Sequence, residues 1–205
     1  GEETRYVGDV LAGVVAETEE IARAAAALVL IEYEVLEPVT DMHKALLPDA
    51  PKIHAAGNQL SRTAFQRGDL DAAKAKTVYT ATGVYQTQRI EHGYMEPECA
   101  IAIPAARPTT DDGRPTTDPL TTDPLNTDPL ATAEAVHVLS QSQGVYDDQI
   151  QIAKLLGVPL EAVRVTLVPN GGGFGGKEDL SVQGHAAVMA CLTGRTVKVG
   201  LTRDE

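Results

Sequence analysis

Two periods of apolar residues run along this chain. Residues 10–16 are an apolar run and residues 29–35 a mostly apolar stretch, both of strand length, and the alanine-rich stretch 21–28 between them has helical character. Thr18 is placed to cap that helix, with Glu19 and Glu20 in its first turn, where carboxylates favour the helix dipole. Strand, helix and strand in so short a span predict a compact α/β unit. Pro38, Pro48, Pro51, Gly57 and Asn58 then interrupt residues 37–60, which read as linker. Arg67-Gly68-Asp69 reads as the turn before a short DLDAAKA helix rather than as an adhesion signal. Strands are predicted over 78–88, interrupted at Gly83, and over 99–103.

The last third is the most regular. A strand over 135–140 leads to a helix over 146–156, stopped by Gly157 and Pro159. A strand over 163–168, the loop PNGGGFGGKE, a helix over 180–192 stopped by Gly194 and a strand over 196–201 complete it. Ahead of this region stand three near-identical pentads, TTDPL, TTDPL and NTDPL, at 116–130. Proline at every fifth residue removes a donor and blocks helix, so 115–131 read as a solvated insertion loop between strands.

Length and charge narrow the function. The chain has 205 residues, enough for one large or two small domains with a buried core. Its net charge of −12 argues against nucleic acid and anionic membrane surfaces as partners. Cys99 and Cys191 make neither a disulfide framework nor a zinc spacing, and read as small buried hydrophobes. No apolar run approaches the roughly 18 residues of a membrane helix, and no signal-type apolar core follows the charged first residues. A cytoplasmic setting is expected.

The candidate chemistry sits in the glycine loop, where Gly171, Gly172, Gly173, Gly175 and Gly176 surround Phe174. So many missing Cβ atoms let a backbone approach a ligand closely, or simply take up a tight turn. Gly171-x-Gly173-x-x-Gly176 fits a dinucleotide fingerprint between strand and helix, but Glu178 and Asp179 stand where a pyrophosphate would lie. Gly171-x4-Gly176-Lys177 fits a P-loop, except that Glu178 replaces the Ser or Thr needed for magnesium.

A third reading comes from resemblance. GGGFGGKE, with Ser142-Gln143-Gly144 ahead of it near a strand end, closely resembles the molybdopterin-binding subunit of the molybdenum hydroxylases, the xanthine dehydrogenase and aldehyde oxidase family. RYVGDVLAGVVAETEEIARAAAALVLIEYEVLEPVTD resembles the end of that family's α/β hammerhead domain. APKIH, RGDLDAA and EHGYMEPECAIAIP resemble the lead into its first molybdopterin-binding domain, and LSQSQGVYDDQIQIAKLLGVPLEAVRV the approach to the loop. Only the pentads have no counterpart.

The resemblance implies a mixed α+β and α/β fold: the C-terminal part of the hammerhead domain over 1–50, a linker over 51–75, and part of the first molybdopterin-binding domain over 76–205. It implies a molybdopterin cofactor whose metal Gln143 and Phe174 surround without binding directly, with Gly172, Gly173 and Gly175 in the cofactor-binding loop and the amides of residues 173–175 turned to the metal's ligands. An amide suits that position because it donates a hydrogen bond and carries no charge. Glu178 is implied to face the substrate and tilts the choice toward purines over aldehydes; as a bland alternative it is a first-turn helix acid. His92, Glu96 and Glu98 are read as structural. The family's general base matches no residue here, so no catalytic residue is assigned, and the chain alone, as a central slice of the subunit, is expected to be inactive. Iron–sulfur and FAD centres are implied on partner subunits of a hetero-oligomer, together with the rest of the molybdenum subunit. The implied reaction hydroxylates xanthine or hypoxanthine with oxygen from water. Aldehyde or other N-heterocycle oxidation, a nucleotide-binding module and a non-catalytic assembly module are the alternatives.

Overall fold

The computed structural model describes residues 3–105 and 134–205; the pentads and their predicted loop lie outside them. The chain divides into two compact units. The first comprises the stretch up to Val14 and Glu20–Gln88, the second Val15–Glu19 and Arg89–Glu205.

Helix α1 (Glu19–Ala26), in the first unit from Glu20 on, forms over the alanine-rich stretch, and α2 (Leu70–Ala75) of the same unit over the predicted short helix. Asp69 of the Arg67-Gly68-Asp69 turn caps α2, its carboxylate accepting the Ala72 N–H at 2.9 Å. Asn58 closes its own loop, accepting from Ile53 N–H and donating to the carbonyls of Ala45 and Pro51. The strands expected over 10–16, 29–35 and 78–88 are not formed. Their apolar side chains have nothing to bury against: no described residue of this unit is buried, and Val84 is 98% exposed. A strand is made by its ladder partner and the face it covers, and the pattern alone supplies neither.

The second unit holds a four-stranded mixed sheet in the order β3-β2-β1-β4. Strand β1 (Cys99–Pro104) runs antiparallel to β2 (Val136–Ser140) and to β4 (Val197–Gly200), while β2 and β3 (Val163–Leu167) are parallel. Helix α3 (Val145–Leu156) makes the crossover between the parallel pair, and α4 (Val182–Thr193) precedes β4. Both helices end as the sequence predicts, on left-handed glycines, Gly157 (φ 66°) and Gly194 (φ 65°).

One face of the sheet is the core. Ala100, Ala102, Val136, Val138, Val163 and Val197 point to it, and Ile152 of α3 with Ala186, Ala187 and Ala190 of α4 cover it. Alanines on β1 and α4 let helix and strand approach closely. Gly184 does the same between the helices, since a Cβ there would lie 3.0 Å from Leu155. Among the described residues no helix is long and apolar enough to cross a membrane.

Candidate functional site

Because β2 and β3 are parallel and in register, Ser140 opposite Leu167, the chain leaves both at the same edge of the sheet. Ligand sites of open α/β sheets lie outside such carboxyl ends. Here the turn 141–144 after β2 meets the glycine loop after β3. The Val168 N–H donates to the Ser140 carbonyl at 2.9 Å, and the Asn170 amide donates to the Gln141 carbonyl at 3.2 Å.

Gln143 joins the two. Its own N–H donates to the Lys177 carbonyl at 2.7 Å, and its side-chain Oε1 accepts the N–H groups of Gly175 at 2.9 Å and Lys177 at 3.3 Å. Two donors on one atom identify that atom as the oxygen, so the Gln143 NH2 group points away from the loop backbone. Gly173 packs directly against this carboxamide; a Cβ there would lie 2.6 Å from Gln143 Cδ and clash with Oε1.

The loop's amides are mostly committed. Gly171 N–H donates to a Glu96 carboxylate oxygen, Gly172 to Asn170 Oδ1, Gly176 to the Gly173 carbonyl. The Gly175 amide, expected to face a ligand, donates to Gln143 Oε1 here, and the Gly172 amide to Asn170. The N–H groups of Gly173 and Phe174, with the Gln143 NH2, are left without an acceptor among the described residues. Phe174 adopts φ 54°, a left-handed conformation unusual for a bulky residue, and is 69% exposed.

The segment 92–96 ties down the loop at both ends. Glu96 holds Gly171 through its carboxylate and the Lys177 ammonium through its backbone carbonyl at 2.8 Å. Lys177 is fully buried, with Nζ 4.4 Å from the centre of the Tyr94 ring. A Cβ on Gly176 would collide with Tyr94 and His92. Burial, then the nearby carboxylates of Glu98 and Glu91, push the Tyr94 hydroxyl above its usual range. His92 and Glu96 thus sit at the loop, while Glu98 is buried beside β1 and its carbonyl accepts from Leu201.

Glu178 is exposed, beside Gly144 and four residues ahead of α4. It stands outside the first turn of that helix, so the dipole does not account for it. The same geometry disposes of the nucleotide readings: residues 177–181 separate Gly176 from α4, so the loop does not open onto a helix N-terminus. The Lys177 ammonium points at Tyr94 and Glu96 instead of lying free for a phosphate.

Beneath the turn lies a buried polar cluster that the sequence pattern does not single out. Asp148, in the first turn of α3, is fully buried, and its Oδ2 accepts the hydroxyls of Ser140 at 3.0 Å and Ser142 at 2.5 Å. Burial pushes the Asp148 carboxyl above its ordinary range; the two serine hydrogen bonds oppose this, and Asp147 adds to it. Asp148 therefore binds its proton more tightly folded than unfolded. That contribution is present at pH below the ordinary carboxylate range and is lost as pH rises through the raised value. Urea midpoints of wild type and Asp148→Asn, taken from about pH 4 to about pH 8, are expected to diverge in favour of the variant as pH rises. A pH-independent difference would refute this.

Residues 109–205 match the family described as the molybdopterin cofactor-binding domain. The chain is 38% identical over 203 residues to a probable xanthine dehydrogenase subunit of Bacillus subtilis (strain 168), covering 98% of this chain and 24% of that protein. It is 30% identical to the nicotinate dehydrogenase large molybdopterin subunit of Eubacterium barkeri, covering 100% of this chain and 42% of that one. The aldehyde oxidoreductase from Desulfovibrio gigas superposes with a TM-score of 0.67 at 26% identity, covering 91% of this chain and 18% of that one. Along nearly its whole length the chain is similar to segments of molybdenum hydroxylase subunits. It spans less than half the length of each of these relatives.

The donor set of this segment suits a molybdopterin cofactor. Among the described residues the Gln143 NH2 and the N–H groups of Gly173 and Phe174 are uncommitted neutral donors of the two turns, and Gln141 Oε1 in the first turn is a buried acceptor without a partner. Neutral donors fit electron-rich ligands around a metal without adding a charge that titrates. The missing Cβ at Gly173 keeps that set in place.

Proposed function

We propose that this segment forms one wall of the molybdenum site of a purine-oxidising hydroxylase of the xanthine dehydrogenase type. The observation that carries this is the double acceptance by Gln143 Oε1, which leaves the amide NH2 free beside the uncommitted amides of Gly173 and Phe174. When bound, the molybdopterin group supplies a redox-active metal that takes up the substrate's electrons. Gln143, Gly173 and Phe174 donate to its surroundings, and Gly172 and Gly175 shape the loop through their positive φ values. The Phe174 ring excludes water from the mouth of the site. Glu178, exposed and without a hydrogen-bond partner among the described residues, hydrogen-bonds the ring edge of a purine and steadies charge that develops on it.

The remainder of the assembly follows the same reading. Residues 1–50 correspond to the end of the hammerhead domain, 51–75 to a linker and 76–205 to part of the first molybdopterin-binding domain. Partner subunits carry iron–sulfur and FAD centres, and the complex is cytoplasmic. The likeness to the nicotinate dehydrogenase and aldehyde oxidoreductase chains favours a second reading, oxidation of another N-heterocycle or of an aldehyde.

The native complex containing this chain is expected to hold molybdenum near one per chain and to turn over xanthine. Glu178→Ala is expected to lower kcat/KM for xanthine by about 10²–10³-fold, the usual cost of removing a group that stabilises developing charge, while aldehyde turnover is spared. Equal loss on both substrates would remove the purine assignment. Absence of molybdenum from a complete, folded complex would remove the whole reading.

A further inference from the structure

The two serines ahead of Gln143 both donate to one buried carboxyl, and Gly144 after it is held by Ser142 and by the Asp148 backbone. Ser142 Oγ donates to Asp148 Oδ2 at 2.5 Å and accepts the Gly144 N–H at 3.3 Å. Ser140 Oγ donates to the same oxygen at 3.0 Å, accepts the Ser142 N–H at 3.1 Å, and accepts from Gln183 Nε2 at 3.3 Å. The Asp148 N–H closes the ring of contacts on the Gly144 carbonyl at 2.9 Å. Ser140, Ser142, Asp148 and Gln183 are all at most 1% exposed, so none exchanges these bonds for water.

This cluster is expensive. Asp148 Oδ1 is buried without a partner among the described residues, and a buried acceptor left unpaired costs stability that an apolar core residue would not. Helix α3 gains little in return, since Asp147 already supplies an exposed acid in its first turn. What the carboxyl does fix is the peptide geometry of residues 142–144, and through it the direction of the one side chain between them.

We propose that Asp148 is a positioning residue for Gln143. Through the hydroxyls of Ser140 and Ser142 it holds the turn at the angle that keeps Gln143 Oε1 on the Gly175 and Lys177 amides and its NH2 group turned outward. The inference rests on the reading that the Gln143 amide works at the molybdenum site, and the experiment separates failure of one from failure of the other.

Gln143→Ala, Asp148→Ala, the double variant and Asp148→Asn are compared as complete molybdenum-loaded enzyme, each with its molybdenum content, xanthine kcat and KM, and Mo(V) EPR line shape. Loss of a group that orients a residue beside a metal typically costs about 10–100-fold, so Asp148→Ala is expected to lower kcat by that factor with little change in KM. Its EPR spectrum should shift as that of Gln143→Ala does. The double variant should fall no lower than Gln143→Ala alone, as for two residues acting through one contact. Asp148→Asn keeps an acceptor for both hydroxyls and is expected to restore kcat and the wild-type spectrum.

If Gln143→Ala leaves kcat and the spectrum unchanged, the functional reading of Gln143 fails and this inference with it. If Gln143→Ala is impaired but Asp148→Ala is silent, or the two losses multiply, the reading of Gln143 stands and the positioning role is overturned. Should Asp148→Ala fail to fold, Ser142→Ala cuts the same link at one hydroxyl and is held to the same outcomes.

Discussion

Gly173→Ala is expected to abolish most of the activity of the assembled enzyme while leaving its fold largely intact. The φ of Gly173 is not in the left-handed region, so an alanine backbone is accommodated there and the effect is purely steric. Its Cβ would lie 2.6 Å from Gln143 Cδ and 2.9 Å from Cγ, so the whole Gln143 side chain must leave. The N–H groups of Gly175 and Lys177 then lose their shared acceptor. Two hydrogen bonds lost at a partly solvated site cost about 1–3 kcal/mol, which a domain of this size survives. The functional loss is larger. Displacing a donor aimed at the reacting centre costs about 10²–10³-fold in kcat. Gly157→Ala is the control: its φ of 66° strains an alanine, yet its Cβ meets nothing within 4 Å. It should cost about 1 kcal/mol of stability and no activity. Turnover and urea unfolding on both variants check the argument, and a Gly173→Ala enzyme with near wild-type kcat would remove Gln143 from the site.

That Gly173 and Gln143 touch is something the spacing does not give; the resemblance implies only that both lie around one metal. The hydrophobic pattern gives β2, α3, β3, α4 and β4 within a residue or two, because each is bounded by a local signal: alternation along the strands, and Gly157 and Gly194 at the helix ends. It does not give the order of the sheet. Strand β4 pairs antiparallel with β1, far from it in sequence, and that choice is made by the alanine faces of β1 and α4. The strands expected over 10–16, 29–35 and 78–88 fail for the converse reason, since a correct pattern without a surface to cover forms no ladder.

Charged residues are where the pattern misleads most. Asp148 looks like one of two acids favouring a helix N-terminus, until the fold turns it inward onto Ser140 and Ser142. Glu178 looks like such an acid as well, but α4 begins too late for it. Lys177 looks like a phosphate ligand, and the structure buries it. In each case the charge is plain from the residue type, while the direction of the side chain depends on tertiary neighbours that spacing does not name.

Lys177→Ala is expected to be the most destabilising single change at the site, and its cause can be divided. The backbone of Lys177 holds Gln143, while its side chain, fully buried, holds the 94–96 segment through the Glu96 carbonyl and the Tyr94 ring. Truncating a fully buried long side chain leaves a cavity costing about 2–5 kcal/mol. Lys177→Met keeps most of the stem and removes the charged donor, so its cost should be nearer the roughly 1.5–3 kcal/mol of a charge-assisted hydrogen bond. Arg203 limits the damage, because its guanidinium also donates to the carbonyls of Tyr94 at 2.8 Å and Met95 at 2.7 Å, so the segment remains tethered in either variant. The cation–ring contact is separated by a double-mutant cycle of Lys177→Met with Tyr94→Leu. A desolvated cation over an aromatic face predicts a coupling of about 1–2 kcal/mol in urea unfolding. Coupling near zero would mean that Tyr94 merely fills space and that the Glu96 carbonyl alone holds the buried ammonium. The Lys177 side chain would then hang on one hydrogen bond, and Glu96→Ala, which leaves that carbonyl but removes the carboxylate holding Gly171, should release Gly171 without loosening Lys177.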